Sequence, residues 1–125
     1  MFLSAAATLP AGDIDRARKF YADVLGLEVS EWEADGSIKV HVGESWFGVY
    51  PSQFAGTNQA TAVGIGVEDI EAAVAALRDR GVTFEEYDFG EFKTVDGIIS
   101  MPDGSKGAWF KDTEGNIIGL SDAAM

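Results

Sequence analysis

Cysteine is absent from the chain, which excludes disulfides, thiolate metal sites and cysteine nucleophiles together. Histidine is nearly absent: His41 is the only one. Positive charge is scarce, with 9 Lys and Arg against 21 Asp and Glu and a formal net charge of −12. That balance repels phosphate backbones and anionic lipid surfaces, and no local cluster of Lys or Arg opposes it, so no nucleic-acid or membrane partner is expected. The excess acid serves solubility and identifies no substrate. Long apolar runs are also missing: nothing approaches the roughly eighteen residues that span a bilayer. The first twenty residues carry no basic stretch ahead of their short apolar segment, and the expected location is cytoplasmic.

What is present suits one globular domain. The 125 residues are 46% apolar and 24% charged, close to ordinary folded chains and enough to bury a core. An internal repeat organises them. The stretch from Gly12 can be laid on the stretch from Glu68 with one gap, so that Asp13-Ile14 falls on Asp69-Ile70, Gly26 on Gly81 and Trp32 on Tyr87. Each copy predicts one amphipathic helix. Asp13 and Asp69 are suited to cap it, and Asp15 and Glu71 suit its positive end. Ile14, Ala17, Tyr21, Val24 and Leu25 recur at helical spacing in the first copy, as do Ile70, Ala73, Val74 and Leu77 in the second. Gly26 and Gly81 stand where a left-handed residue ends each helix.

Around the helices the pattern has period two. It predicts strands over 2–9, 28–33, 38–42 and 46–50 in the first half, and over 60–67, 83–89, 97–101, 106–111 and 116–121 in the second, with Gly-containing turns between them. The expected organisation is a single domain, residues 1–125, with a first module of about 1–52, a connector of about 51–59 and a second module of about 60–125.

Two phrases carry a family resemblance. The helix from Asp13 through Phe20-Tyr21 to Leu25-Gly26-Leu27 resembles the first-module helix of the glyoxalase / bleomycin resistance protein / extradiol dioxygenase (vicinal oxygen chelate) superfamily. The segment Trp109-Phe110-Lys111-Asp112-Thr113-Glu114-Gly115-Asn116 is similar to its closing hairpin. With the tandem repeat, the resemblance covers nearly the whole chain. It implies an α+β fold of tandem βαβββ modules whose mixed sheets form a U-shaped cleft. The motif residues themselves have structural work: Phe20 and Tyr21 pack the helix on its sheet, and Asp112, Gly115 and Asn116 make a tight turn.

In that superfamily's metalloenzymes, four strands supply ligands to one divalent ion. The resemblance puts the corresponding positions on Ala6, Gly48, Ala62 and Gly119, none of which has a side-chain donor. A cation needs oxygen or nitrogen donors converging at about 2 Å, so no metal and no other cofactor is expected. By strand alternation Ala6, Gly48, Ala62, Gly64 and Gly119 share the concave face, while Phe47, Val49, Val63, Ile65, Ile118 and Leu120 point back to the helices. Trp46 and Tyr50 share the parity of Gly48, and Met101 and Trp109 can line the other wall. A low floor with aromatic walls describes an apolar small-molecule pocket. The same residues also suit a packed interior in which aromatics fill the space the glycines leave.

His41 and Lys39 face the cleft near Trp46 if Val40 and Val42 face the helix. His41 is the one candidate for acid–base chemistry, or else a partly exposed strand histidine. No serine stands on a nucleophile elbow, and no Gly-rich turn leads into a helix to cradle phosphate. The expected function is metal-free binding of a small, largely apolar or aromatic molecule, similar to the antibiotic-sequestering branch, in a homodimer as modules of this family commonly form. The alternative is a lyase or dioxygenase-like enzyme with a non-standard site around His41, and a third reading is an auxiliary domain that binds another protein.

Overall fold

A computed structural model describes residues 1–123. They form two compact units: residues 1–58 with 112–116, and residues 59–111 with the segment from 117 onward.

Unit 1 contains β1 (Thr8–Ala11), α1 (Ile14–Lys19) continued by a π-helical turn (Phe20–Val24), β2 (Glu28–Glu31), β3 (Ile38–Val42) and β4 (Ser45–Pro51). The strands lie in the order β1-β4-β3-β2, with β1 parallel to β4 and the other pairs antiparallel. The Asp13 carboxylate accepts from Arg16 N–H at 3.0 Å and so caps α1. Gly26, at φ 70°, ends the helical segment in the left-handed region. In the wider turn between them, Leu25 N–H donates to Phe20 O. Leu9, Ala17, Tyr21, Ile38, Val40 and Val49 are almost completely buried, and Tyr21 meets Phe47 edge to face at 5.5 Å. Each buried Leu, Ile, Val or Phe among them contributes about 1.5–3 kcal/mol relative to exposure. This core fixes one face of the sheet against the helix and leaves the other free.

Unit 2 contains β5 (Thr61–Gly66), α2 (Ile70–Asp79), β6 (Asp88–Phe89), β7 (Phe92–Lys93), β8 (Ile98–Ser100), β9 (Lys106–Lys111) and β10 (Ile117–Ser121). Its main sheet has the order β5-β10-β9-β8, again with one parallel pair, β5 and β10. The Asp69 carboxylate caps α2 through Ala72 N–H at 3.0 Å, and Gly81 has φ 91°. Ile70, Val74, Ala108, Phe110 and Ile118 are buried. The repeat seen in the sequence is thus a repeat of sheet order and helix capping, and the α+β architecture of two four-stranded mixed sheets follows from it.

Three expectations on strands are corrected. The first strand starts at Thr8, not Phe2, and residues 1–8 are exposed. Ala5, Ala6 and Ala7 offer too little apolar area to offset the entropy of ordering them. Residues 83–87 form no strand; a single bridge joins Phe84 to Phe110, and the chain then folds into the β6–β7 hairpin instead of continuing. The third strand of that half, expected over 97–101, is confined to Ile98–Ser100, with Gly97 in the left-handed region at φ 78°.

Candidate functional site

The closing-hairpin residues 112–116 join β9 to β10 yet belong to unit 1, where they brace the helix. The Asp112 carboxylate accepts from Tyr21 Oη at 2.5 Å, from the backbone N–H of Glu114 and Asn116, and from Asn116 Nδ2. Burial first, then the Asp112 charge and this bond, push the Tyr21 hydroxyl pKa far up. The Glu114 carboxylate accepts from Asp13 N–H, Arg16 Nε and Nη2, and Thr113 Oγ1 at 2.7–3.0 Å. Its burial favours the neutral acid, but these donors prevail and hold its pKa at about 2. All four carboxylate oxygens of Asp112 and Glu114 accept hydrogen bonds from within the fold, so the cluster reads as architecture and not as a reaction centre.

The free face of the unit 1 sheet carries a polar and aromatic row. Register places Gly48 beside Thr8 and Lys39, Lys39 beside Ser30, and His41 beside Trp46. Lys39 and His41 therefore stand on the face of Gly48 and Trp46, with Tyr50 further along β4. Lys39 Nζ lies 4.6 Å from the Trp46 ring centroid, and Ser30 Oγ shares a 2.8 Å hydrogen bond with His41 Nε2. Across Gly48 lies Trp32: a β-carbon there would come within 2.1 Å of Trp32 Cζ3. The Trp32 ring also meets Trp46 edge to face at 5.2 Å. Beside it is a hollow of about 260 Å³ lined by Thr8, Trp32, Glu33, Asp35, Ser37 and Tyr50. Hydrogen bonds from the Ser37 hydroxyl and backbone N–H lower the Asp35 pKa. Ala6 lies ahead of β1, exposed, outside this arrangement.

The free face of unit 2 is built differently. Gly119 is flanked in register by Trp109 and Gly64, and a β-carbon on it would meet Trp109 Nε1 at 3.2 Å and Thr61 Cγ2 at 3.3 Å. The β5–β10 register shifts between Ile117 and Ile118: Thr61 pairs with Ile117 and Val63 with Ile118. Ala62 is the extra residue of this bulge, and Thr61 presents its methyl to Gly119 in its place. Met101 is exposed in the turn after β8 and does not line the hollow described next.

The β6–β7 hairpin turns through Gly90, at φ 81°, and its base is pinned by the buried Thr94. Thr94 Oγ1 accepts from Tyr87 N–H at 2.8 Å, and Thr94 N–H donates to Tyr87 O at 2.9 Å. The turn sets Phe89 and Phe92 side by side with their ring centroids 6.2 Å apart. Phe92 meets Trp109 at 5.6 Å, Trp109 meets Tyr87 at 5.6 Å, and Tyr87 stacks on Phe89 at 6.0 Å. The four rings close a circuit. Together with Gln59, Ala60, Thr61 and Ile117 they line a cavity of about 350 Å³, within the size range of small-molecule sites.

The two units treat their glycines alike: at Gly48 and at Gly119 an indole occupies the space where a coordinating side chain would project. These positions supply no oxygen or nitrogen donor, and at Gly48 even a methyl group collides unless Trp32 moves. Among the described residues no group of three or more His, Asp or Glu is placed to hold an ion. The donor set does not fit the superfamily's divalent metal. Trp32, Tyr87, Phe89, Phe92 and Thr61 were not among the residues expected from the sequence. Trp32 and Tyr87 were visible there as repeat partners, whereas Phe89 was read as the end of a strand and Phe92 carried no reading.

A family model described as the Glyoxalase/Bleomycin resistance protein/Dioxygenase superfamily matches residues 4–120. No curated protein sequence matches. Among solved structures, UcmS2 superposes with a TM-score of 0.74 at 20% identity, covering 98% of this chain and all of that one. TnmS3, an antibiotic binding protein from Streptomyces sp. CB03234, gives 0.63 at 20% identity, covering 96% of each chain. Lactoylglutathione lyase from Agrobacterium tumefaciens gives 0.70 at 16% identity, covering 97% of this chain and 93% of that one. Identities this low show a shared fold alone.

Proposed function

Since the chain belongs to the Glyoxalase/Bleomycin resistance protein/Dioxygenase superfamily, we propose that it is a binding member of it, one that holds a small, largely apolar or aromatic molecule without a metal ion and without catalysing a reaction. The observation that carries this reading is the four-ring cavity of unit 2, an aromatic site whose lining also includes the polar residues Gln59 and Thr61. Rings bury large areas at low entropic cost and suit planar guests. The lack of donors at Gly48 and Gly119 supports the metal-free part. TnmS3, by its description an antibiotic binding protein, is a precedent for binding on this fold. The protein is read as cytoplasmic and homodimeric, and among the described residues no helix is long and apolar enough to cross a membrane.

Isothermal titration against a panel of planar aromatic and amphipathic compounds tests the proposal. A saturable guest that protects the fold thermally, and whose affinity falls at least about tenfold in Trp109→Leu, is the expected result. A panel that leaves both the heat signal and the melting temperature unmoved defeats it. The Ser30–His41 hydrogen bond favours a second reading, acid–base chemistry at His41; any turnover that survives His41→Ala removes it.

A further inference from the structure

The segment that builds the aromatic circuit is strongly acidic. From Glu85 to Lys93 the chain reads Glu-Glu-Tyr-Asp-Phe-Gly-Glu-Phe-Lys, four carboxylates against one ammonium. Asp88 and Glu91 are exposed on the hairpin that carries Phe89 and Phe92, and Lys93 lies opposite Asp88 in register. Glu85 precedes Tyr87 on the approach to the hairpin and is charge-coupled to it: burial first, then the Glu85 charge, raises the Tyr87 pKa. Phe89 is 74% exposed although it stacks on Tyr87.

A ring face presents negative potential, and several rings grouped on a segment of net negative charge favour a weakly hydrated cation. Unit 1 supplies an internal precedent, because the ammonium of Lys39 sits over Trp46 at 4.6 Å. Among the described residues the cations lying over a ring do so at Trp46 and Phe84, and the four rings of unit 2 pack against one another around the cavity instead. A neutral planar guest gains nothing from that charge. A guest bearing an alkylated ammonium gains from the rings and from the surrounding negative field together.

We propose that the Tyr87–Phe89–Phe92–Trp109 site selects an organic cation, a quaternary or tertiary ammonium carried on an apolar or aromatic body. The inference rests on the reading of this cavity as a ligand site and adds the charge of the ligand to it. Asp88 shares its hairpin face with Lys93, opposite the face of Phe89 and Phe92, so it and Glu91 steer the cation through their field, and the rings take its methyl groups.

The test uses the full chain with benzyltrimethylammonium, its uncharged carbon isostere neopentylbenzene, and a neutral planar aromatic, followed by tryptophan fluorescence and calorimetry at low and high salt. The cation is expected to bind about three- to thirtyfold tighter than its isostere. In Asp88→Asn/Glu91→Gln, which leaves every ring in place, that preference shrinks and loses its salt dependence. Phe92→Leu, at an exposed hairpin position, weakens the cation more than the neutral guest. Equal or tighter binding of the isostere overturns the proposal. So does binding of the neutral aromatic alone, an outcome that leaves the small-molecule reading standing, whereas failure of all three probes sinks both.

Discussion

Glu114 has no exposed side-chain surface, and its carboxylate accepts from Asp13, Arg16 and Thr113. A folded-state pKa of about 2 against the ordinary 4.5 means that its contribution is present above about pH 4.5 and is lost as pH falls from there toward 2. The difference corresponds to roughly 3 kcal/mol. Urea titration across that window shows a steep loss for the native chain. Glu114→Gln starts about 2–4 kcal/mol lower at neutral pH and has a flatter profile below pH 4.5. At Gly48 the issue is space. Gly48→Ala forces the Trp32 ring aside and costs about 1–3 kcal/mol, and in a Trp32→Ala background most of that penalty disappears. A double-mutant cycle with no coupling removes Trp32 from above Gly48. The glycine was legible in the sequence as the small residue on the same strand face as Trp46 and Tyr50. The indole covering it was not, since which ring turns toward a glycine is decided by χ angles and neighbouring side chains, and Trp32 and Trp46 both satisfy the strand pattern.

At the level of elements, α1 and α2 were legible because three signals agree at each: an Asp cap, a 3.6-residue apolar period and a terminal glycine. Asp69→Ala is expected to cost about 1 kcal/mol in a thermal or urea melt. The β6–β7 hairpin was not legible. Its residues alternate well enough to read as the end of one long strand from Thr83, and period alone does not reveal that Phe89-Gly90-Glu91-Phe92 reverses direction. Gly90→Ala probes that reversal. A β-carbon there meets open space, so the cost is the backbone strain at φ 81°, about 1 kcal/mol. Fluorescence titration of a guest identified by calorimetry should then show weaker binding out of proportion to the small change in melting temperature, because the hairpin sets the spacing of two of the four rings. Undiminished affinity would show that Phe89 and Phe92 are not part of the site. The bulge at Ala62 escaped for a related reason, since one inserted residue exchanges inward for outward without changing composition.

For the molecule as a whole, the duplication visible in the sequence predicts two sheets of the same strand order, and both have it. What the duplication conceals is how far the copies diverged in use: one spreads His41, Lys39 and Trp46 along a sheet face, and the other gathers rings around a cavity. Light scattering on the eluting protein, with a chain mass of 13.3 kDa, is expected to give twice that value; a single-chain mass rejects the homodimer. The assignment of residues 112–116 to unit 1 also orders events during synthesis. A ribosome that has made residues 1–58 has not yet made Asp112, Glu114 or Asn116, so Tyr21 and Arg16 wait without their partners until β9 of unit 2 has also been synthesised. A released chain ending at Lys111 should therefore remain protease-sensitive over residues 1–58, and one extended through Asn116 should close there.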